Sequence, residues 1–328
     1  MNNSSYSSSN GTVFGDTTGG AMAYVILSVC FVVGTPGNLL VVWTIMRHVK
    51  NRSHTLLLIM HLAVADLLVL VTLPLWIYSL ARSWVFGEVA CKAMAYVIYA
   101  CMYASVFLIT IMSVERYLAV KYPFKMLHWK NSKAMRLILA GGWTLALLLG
   151  LPAIWTRSLE STDGVFHCIF SEIGSVALEV FCACLETLIG FVIPFLTLAV
   201  CYVKVASQLR HMHRRNKHKS AFLITAVVVA FALCWLPHHI MNVINIAHLL
   251  GADSLEEVSE AAGYISGALA FVSSSVNPLL YAFAARSFQG SLRKSAMARL
   301  FQEIATHTVQ SRGTELQTFD SLEPAADV

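Results

Sequence analysis

Glu186 is the one charged residue in FCACLETLIGFVIPF, residues 181–195, and Asp66 is the one in LAVADLL, residues 62–68. A carboxylate in such a run is either protonated and bonded within the fold, or ionised and held by a cation or by hydroxyl donors. Arg157 closes LPAIWTR. An arginine there either snorkels to water or grips a carboxylate through two parallel hydrogen bonds. Asn277-Pro278 interrupts a third run, SSSVNPLLYA, and Glu115-Arg116-Tyr117 sets an acid beside a base at the edge of a fourth. That adjacent pair reads equally as two side chains snorkelling at a boundary and as a switch that opens when they part. Covalent catalysis has no footing here: there is no phosphate-binding glycine loop, no HExxH and no GxSxG, so the chain reads as a non-enzyme.

The elements that must hold these groups follow from composition. Hydrophobic residues make up 57 % of the chain and charged residues 12 %, with a mean hydropathy of +0.66. A soluble domain carries roughly 25 % charged residues, so this chain faces lipid. Seven apolar runs are long enough to span a membrane, near 21–46, 55–80, 89–114, 134–155, 175–203, 221–250 and 261–285. They lack period-2 alternation, and backbone in lipid must bond to itself, so they are helices. The expected fold is an all-α membrane protein, a seven-transmembrane helix bundle over 21–285. The odd number of spans and the absence of a repeat argue against a transporter. No selectivity element of a channel is visible.

Basic residues set the orientation. Of 23 Lys and Arg, only Arg82, Lys92 and Arg157 fall in segments on one side; the other 20 fall at 47–52, 116–136, 204–219 and 286–312. The positive-inside rule puts those four segments in the cytoplasm and the N-terminus outside. The net charge of +5 therefore does not imply nucleic acid; the run RHMHRRNKHK, 210–219, is a cytoplasmic loop near anionic lipid and protein. Its three histidines lack partners at ligand spacing, so no metal is expected there. The outer N-terminus, 1–20, carries acceptor patterns for glycosylation at Asn2, Asn3 and Asn10. Six of the eight cysteines lie within spans; Cys91 and Cys168 sit at the oxidising outer side and are expected to pair. Residues 286–303 place Phe288, Leu292, Ala296 and Leu300 four apart among basic residues, an amphipathic eighth helix on the inner leaflet. The tail, 304–328, is polar and rich in Ser and Thr, and is expected to be disordered and phosphorylated.

In order along the chain, Gly37-Asn38, LAVADLL, Cys91 with Glu115-Arg116-Tyr117, Trp143, Pro194 with Tyr202, CWLP at 234–237 and NPLLY at 277–281 resemble the anchors of the rhodopsin-like family of G-protein-coupled receptors. The resemblance covers about 21–300, and the family's usual DRY is ERY here. It implies a plasma-membrane receptor that activates a heterotrimeric G protein and meets arrestin and receptor kinases at its tail. Glu115, Arg116 and Tyr117 would form the lock at the G-protein face. Trp235 and Pro237 would form the switch beneath the ligand, and Tyr202, Asn277, Pro278 and Tyr281 would rearrange on activation. Asp66, Ser105, Ser273 and Asn277 look like the family's sodium pocket, so an allosteric sodium ion is the one candidate cofactor. The amine receptors' aspartate is replaced by Ile98, which argues against a monoamine.

MYASVFLITIMS at 102–113, GTPGN at 34–38 and FVSSSVNPLLYA at 271–282 are similar to the leukotriene B4 receptors within that family. That likeness implies a lipid ligand with a carboxylate, two hydroxyls and a long apolar chain. Arg157 would take the carboxylate, Glu186 and Asn242 the hydroxyls, and Tyr99, Met102, Tyr103, Trp235 and Phe271 the chain. His238 joins this set where a familiar subtype has Tyr, while Ala95 and Glu179 depart from that subtype's His and basic residue. The short third loop resembles chemoattractant receptors and implies the inhibitory class of G protein. One physical feature opposes an anionic ligand: the outer segments carry ten acidic residues against three basic ones. Such a field favours a cationic peptide, so the alternative is a peptide chemoattractant receptor of the formyl-peptide or chemokine kind.

Overall fold

The computed structural model describes residues 18–48, 54–122, 132–162, 164–170, 175–210, 217–251 and 259–287. Proline positions decide where its helices break. Helix α1 runs Thr18–Val29, passes through a π-helical turn at Cys30–Gly34, and continues as Thr35–His48 with Pro36 in its first turn. Helix α2 runs His54–Leu70 and resumes at Leu73–Ala81 after a turn at 71–72, because Pro74 has no N–H to donate back. Helix α3 is unbroken over Gly87–Lys121 and contains no proline. Helix α4 spans Ser132–Gly150 and restarts at Pro152–Trp155. Helix α5 joins Val176–Thr187 to Ile193–Arg210 through a second π-helical turn, Leu188–Val192, one turn ahead of Pro194. Helices α6 (Lys217–Leu249) and α7 (Ser259–Ser287) carry Pro237 and Pro278 inside them.

These are the expected seven spans, with α3 running on to Lys121 and α7 to Ser287. Six of the helices are long and apolar enough to cross a membrane over the described residues, and α7 holds a shorter apolar stretch, Ile265–Leu280, within its 29 residues. At ~1.5 Å per residue, 29 residues exceed the ~30 Å hydrocarbon core. Their outward faces are apolar: Val32, Leu137, Ile193, Val203 and Leu233 are all exposed. The predicted amphipathic helix, 286–303, lies outside the described residues beyond Ser287. So do the tail, 304–328, and the three acceptor asparagines.

Helix α3 packs against α2, α4 and α5, while α7 packs against α6, α1 and α2. The main core cluster joins Leu62, Val106, Leu198, Phe231 and Trp235. A second joins Leu27, Leu70, Leu73 and Ala268 where α1, α2 and α7 meet. Close approach there depends on Gly34: a Cβ would stand 2.6 Å from Ser275 Oγ and 2.9 Å from Leu70 Cδ1. Asn38, fully buried, closes the same seam by donating from Nδ2 to the Gly34 and Ser274 carbonyls at 3.0 and 2.9 Å.

One element stands outside the helical expectation. Between α4 and α5, strands β1 (Arg157–Thr162) and β2 (Val165–Phe170) pair antiparallel, with Arg157 opposite Phe170 and Thr162 opposite Val165. Gly164 takes φ 80° at the turn, a conformation that glycine adopts without strain. The hairpin is pinned to the segment between α2 and α3: Trp84 N donates to the Phe166 carbonyl at 2.7 Å, and Phe166 N donates to Ser83 Oγ at 2.9 Å. The disulfide Cys91–Cys168 ties β2 to the first turns of α3.

Candidate functional site

Helices α1, α2, α3, α6 and α7 and the hairpin enclose a cavity of about 390 Å³. It lies at the end of the bundle that holds the hairpin and the N-terminal part of α1, since Ala23 and Leu27 line it together with Cys168 and Ile169. Five of the nine predicted ligand residues reach its wall: Tyr99 and Met102 from α3, Arg157 from β1, His238 from α6 and Phe271 from α7. Position 157 is the first residue of the hairpin, so β1 carries the guanidinium over the cavity instead of out into bulk water. Arg157 Nη2 donates to the Tyr99 hydroxyl at 3.4 Å. His167 shares the rim, and burial lowers its pKa below the ordinary histidine value. It is therefore neutral near neutral pH, and Arg157 supplies the permanent positive charge.

The other four predicted ligand residues stand behind this wall. Glu186 meets His238, with Nε2 and Oε1 2.7 Å apart and both side chains about one-fifth exposed, 21 % and 19 %. The carboxylate sought a partner and found it on α6. Arg157 goes to Tyr99. Asn242 lies beside the same carboxylate, its Nδ2 buried and short of hydrogen-bond geometry. Tyr103 is buried, stacks on Phe107 with centroids 6.2 Å apart, and presses its ring edge toward Gly190 in the π-helical turn of α5. Trp235 is buried in the core, 6.2 Å from Phe231 and 6.4 Å from His238 between ring centroids.

His239, unlike His238, is not among the residues expected at the site. It is 3 % exposed, stacked on Phe191 at 4.9 Å and on Trp235 at 6.0 Å, with Nδ1 3.4 Å from Thr187 Oγ1. Two adjacent histidines in an apolar helix were the available signal. His238 at the cavity wall, His239 behind it and Trp235 below form one ring assembly that joins the cavity to the core.

A second polar centre lies deeper. Asp66 is fully buried and accepts from Ser105 Oγ at 3.1 Å and Asn277 Nδ2 at 2.8 Å. Ser273 does not join them. Its hydroxyl donates to the Ala270 carbonyl of its own helix at 2.8 Å, and Ser274 stands beside the carboxylate instead. One residue along a helix is a rotation of about 100°, enough to exchange the inward for the sideways position. Among the described residues no three of His, Cys, Asp and Glu gather to hold a metal ion. Asp66 with Ser105 and Ser274 offers one negative charge and hydroxyl oxygens, a hard donor set that fits a monovalent cation.

At the opposite end, Glu115 accepts from Thr55 Oγ1 on α2, at 3.1 and 3.0 Å to its two oxygens. The expected Glu115–Arg116 contact is not formed among the described residues; Arg116 points outward and is exposed. Adjacent positions on a helix diverge by the same rotation, which turns the two side chains apart. Tyr117 holds the Lys121 ammonium 5.5 Å from its ring centroid, and Tyr202 is half-buried on α5. Tyr281 lies on α7 beside Pro278, its side chain outside the described set.

Residues 37–281 match the family model of the 7 transmembrane receptor (rhodopsin family). The chain is 37 % identical over 301 residues to the rat leukotriene B4 receptor 1, covering 90 % of this chain and 86 % of that protein. It is 34 % identical over 297 residues to the human leukotriene B4 receptor 1, covering 89 % and 84 %. It is also 34 % identical over 300 residues to the bovine somatostatin receptor type 5, covering 87 % and 80 %.

Proposed function

The chain belongs to the rhodopsin family of G-protein-coupled receptors, and from that premise we propose that it responds to an anionic amphipathic lipid of the leukotriene B4 type. The observation that carries this is the composition of the cavity: a largely apolar wall with one permanent cation, Arg157, at its hairpin edge. At about 390 Å³, it falls at the small end of the roughly 300–1,000 Å³ typical of small-molecule sites. The similarity to leukotriene B4 receptor 1 from rat and human supports the same ligand.

In this mechanism the ligand carboxylate takes the Arg157 guanidinium in place of the Tyr99 hydroxyl. A ligand hydroxyl competes for the His238–Glu186 pair, with Asn242 as a further donor. Movement of His238 passes through the His239 stack to Trp235, and from there to the bend of α6 at Pro237. The ligand acts by binding the rearranged bundle better than the resting one, since only differential affinity shifts a conformational equilibrium. Arg116 at the far end then meets the G protein, of the inhibitory class. Sodium at Asp66, Ser105 and Ser274 favours the resting bundle. The N-terminus lies outside the plasma membrane and is glycosylated, and arrestin and receptor kinases act on the cytoplasmic tail.

The test is G-protein activation in cells expressing the chain, dosed with leukotriene B4, its cysteinyl relatives and a chemoattractant peptide panel. Leukotriene B4 alone is expected to give a saturable response. Arg157→Ala is expected to cut potency at least about tenfold, the worth of a charge-assisted hydrogen bond, and Glu186→Gln to reduce it as well. A response confined to a peptide would sink the lipid ligand. That second reading has its own support, in the ten acidic residues of the outer segments and the similarity to a somatostatin receptor. Under it, Glu186 meets a cationic side chain.

A further inference from the structure

Thr55 is the second residue of α2, and Glu115 lies in the last turns of α3, at the end of the bundle away from the cavity. The Thr55 hydroxyl stands 3.1 and 3.0 Å from the two carboxylate oxygens, and both side chains are half-buried. A threonine inside a helix can donate to the carbonyl one turn back. Thr55 is too near the start of α2 to have one in its own helix, and its hydroxyl crosses to α3 instead. The first turn of a helix also favours a nearby carboxylate, because its N–H groups lack intrahelical acceptors and its dipole is positive there. Beside the pair, the seam between the two helices is already closed. Leu58 and Leu62 of α2 are buried in one cluster with Leu108 and Ile109 of α3, and Met112 packs against the cluster that holds Ile59. Arg116 follows Glu115 on the same turn, about 100° round the helix, and is exposed. The turn moves as a unit, so α3 cannot rotate Arg116 inward without drawing Glu115 off Thr55.

We propose that Thr55 is a positioning residue for signalling: by tethering Glu115 to α2 it holds Arg116 outward in the resting receptor. The acid of the acid–base pair is then restrained by a neutral donor on another helix, and not by its neighbour in sequence. The bond exists in one arrangement of α3 and is lost in the other. Only such a difference can bias the balance between them. Removing the donor leaves the half-buried carboxylate without its partner, a penalty that falls on the resting arrangement alone. This rests on Arg116 as the residue that meets the G protein, and is independent of which ligand fills the cavity.

Nucleotide exchange without ligand tests it, using membranes that carry the full chain, a panel of purified G-protein heterotrimers and a labelled GTP analogue. Thr55→Val keeps the shape of the side chain and removes the donor. It is expected to raise ligand-free exchange about three- to tenfold, the worth of one hydrogen bond at a half-exposed site. Thr55→Ser keeps the hydroxyl and is expected to stay within about twofold of wild type. Glu115→Ala cuts the same tether from α3, is expected to raise exchange as Thr55→Val does, and serves if that variant does not fold. Thr55→Val at wild-type exchange overturns the tether, and so does Thr55→Ser rising as far as Thr55→Val, since loss of packing would then explain both. Arg116→Ala separates this from the reading beneath it. If Arg116→Ala abolishes exchange while the Thr55 variants fail, the tether alone falls. Exchange that survives Arg116→Ala overturns the coupling role of Arg116 and the tether with it.

Discussion

Glu186 on α5 pairs with His238 on α6, their Oε1 and Nε2 2.7 Å apart. The sequence shows that a carboxylate lies mid-helix and needs a partner, and Arg157 is the nearest cation by type. The partner is His238, 52 residues on, because α5 and α6 lie side by side at that depth. Which faces of two helices meet is decided by packing and leaves little trace in spacing. The pair makes a testable prediction. Glu186→Gln and His238→Gln should each destabilise the purified receptor by about 1–3 kcal/mol, the cost of a buried group left unmatched, and the double variant should cost less than the two together. Strictly additive shifts in thermal unfolding would mean that the two side chains do not depend on each other. At the deeper centre, Asp66, Ser105 and Asn277 come together as their types and positions suggest, and the second hydroxyl beside the carboxylate is that of Ser274, one residue from the expected Ser273. If sodium sits there, agonist affinity should fall as sodium replaces potassium, and Asp66→Asn should abolish that fall. Ser274→Ala should blunt the sodium effect while Ser273→Ala leaves it, and the reverse order would return the site to Ser273.

At the scale of elements, apolar run length and proline position made the seven helices readable. The breaks in α2 and α4 fall at Pro74 and Pro152 as elementary backbone chemistry requires. The hairpin escaped because a membrane reading looks for long apolar runs, although Asp163-Gly164 between two short stretches is a strong hairpin signal in any chain. The hairpin matters to the site, since β1 is what carries Arg157 to the cavity wall. Cys168→Ser should therefore weaken ligand binding at least about tenfold while lowering the unfolding temperature of the helical core little, because the bond anchors the roof and not the bundle. A loss of stability as large as the loss of affinity would put the disulfide's role in the core instead. The α1–α7 seam is the opposite case. Gly34→Ala forces a methyl against Ser275 and Leu70 at 2.6 and 2.9 Å, and overpacking of this kind costs about 1–3 kcal/mol. Thermal unfolding should show that loss, and an unchanged midpoint would mean the seam yields without strain.

For the whole molecule, the arrangement of charge and the arrangement of the cavity pull in different directions. The number of spans was legible in the apolar runs, and the family's anchors fell in order on helices that pack as a seven-helix bundle. The cavity carries a cation, while the segments proposed to face outward carry ten acidic residues against three basic ones. A short-range ion pair at Arg157 governs affinity, whereas the long-range field governs approach. The two can be separated by salt. Raising ionic strength to about 0.15 M shortens the screening length to about 8 Å, which removes repulsion along the approach but leaves the enclosed Arg157 contact less affected. Association of leukotriene B4 through the hairpin end should then speed up, by about two- to threefold, with dissociation nearly constant. A cationic peptide would show the opposite slope, its association slowing as the same field is screened. An association rate for the lipid that does not respond to salt would instead place its entry between helices from the bilayer, where the acidic segments never face it.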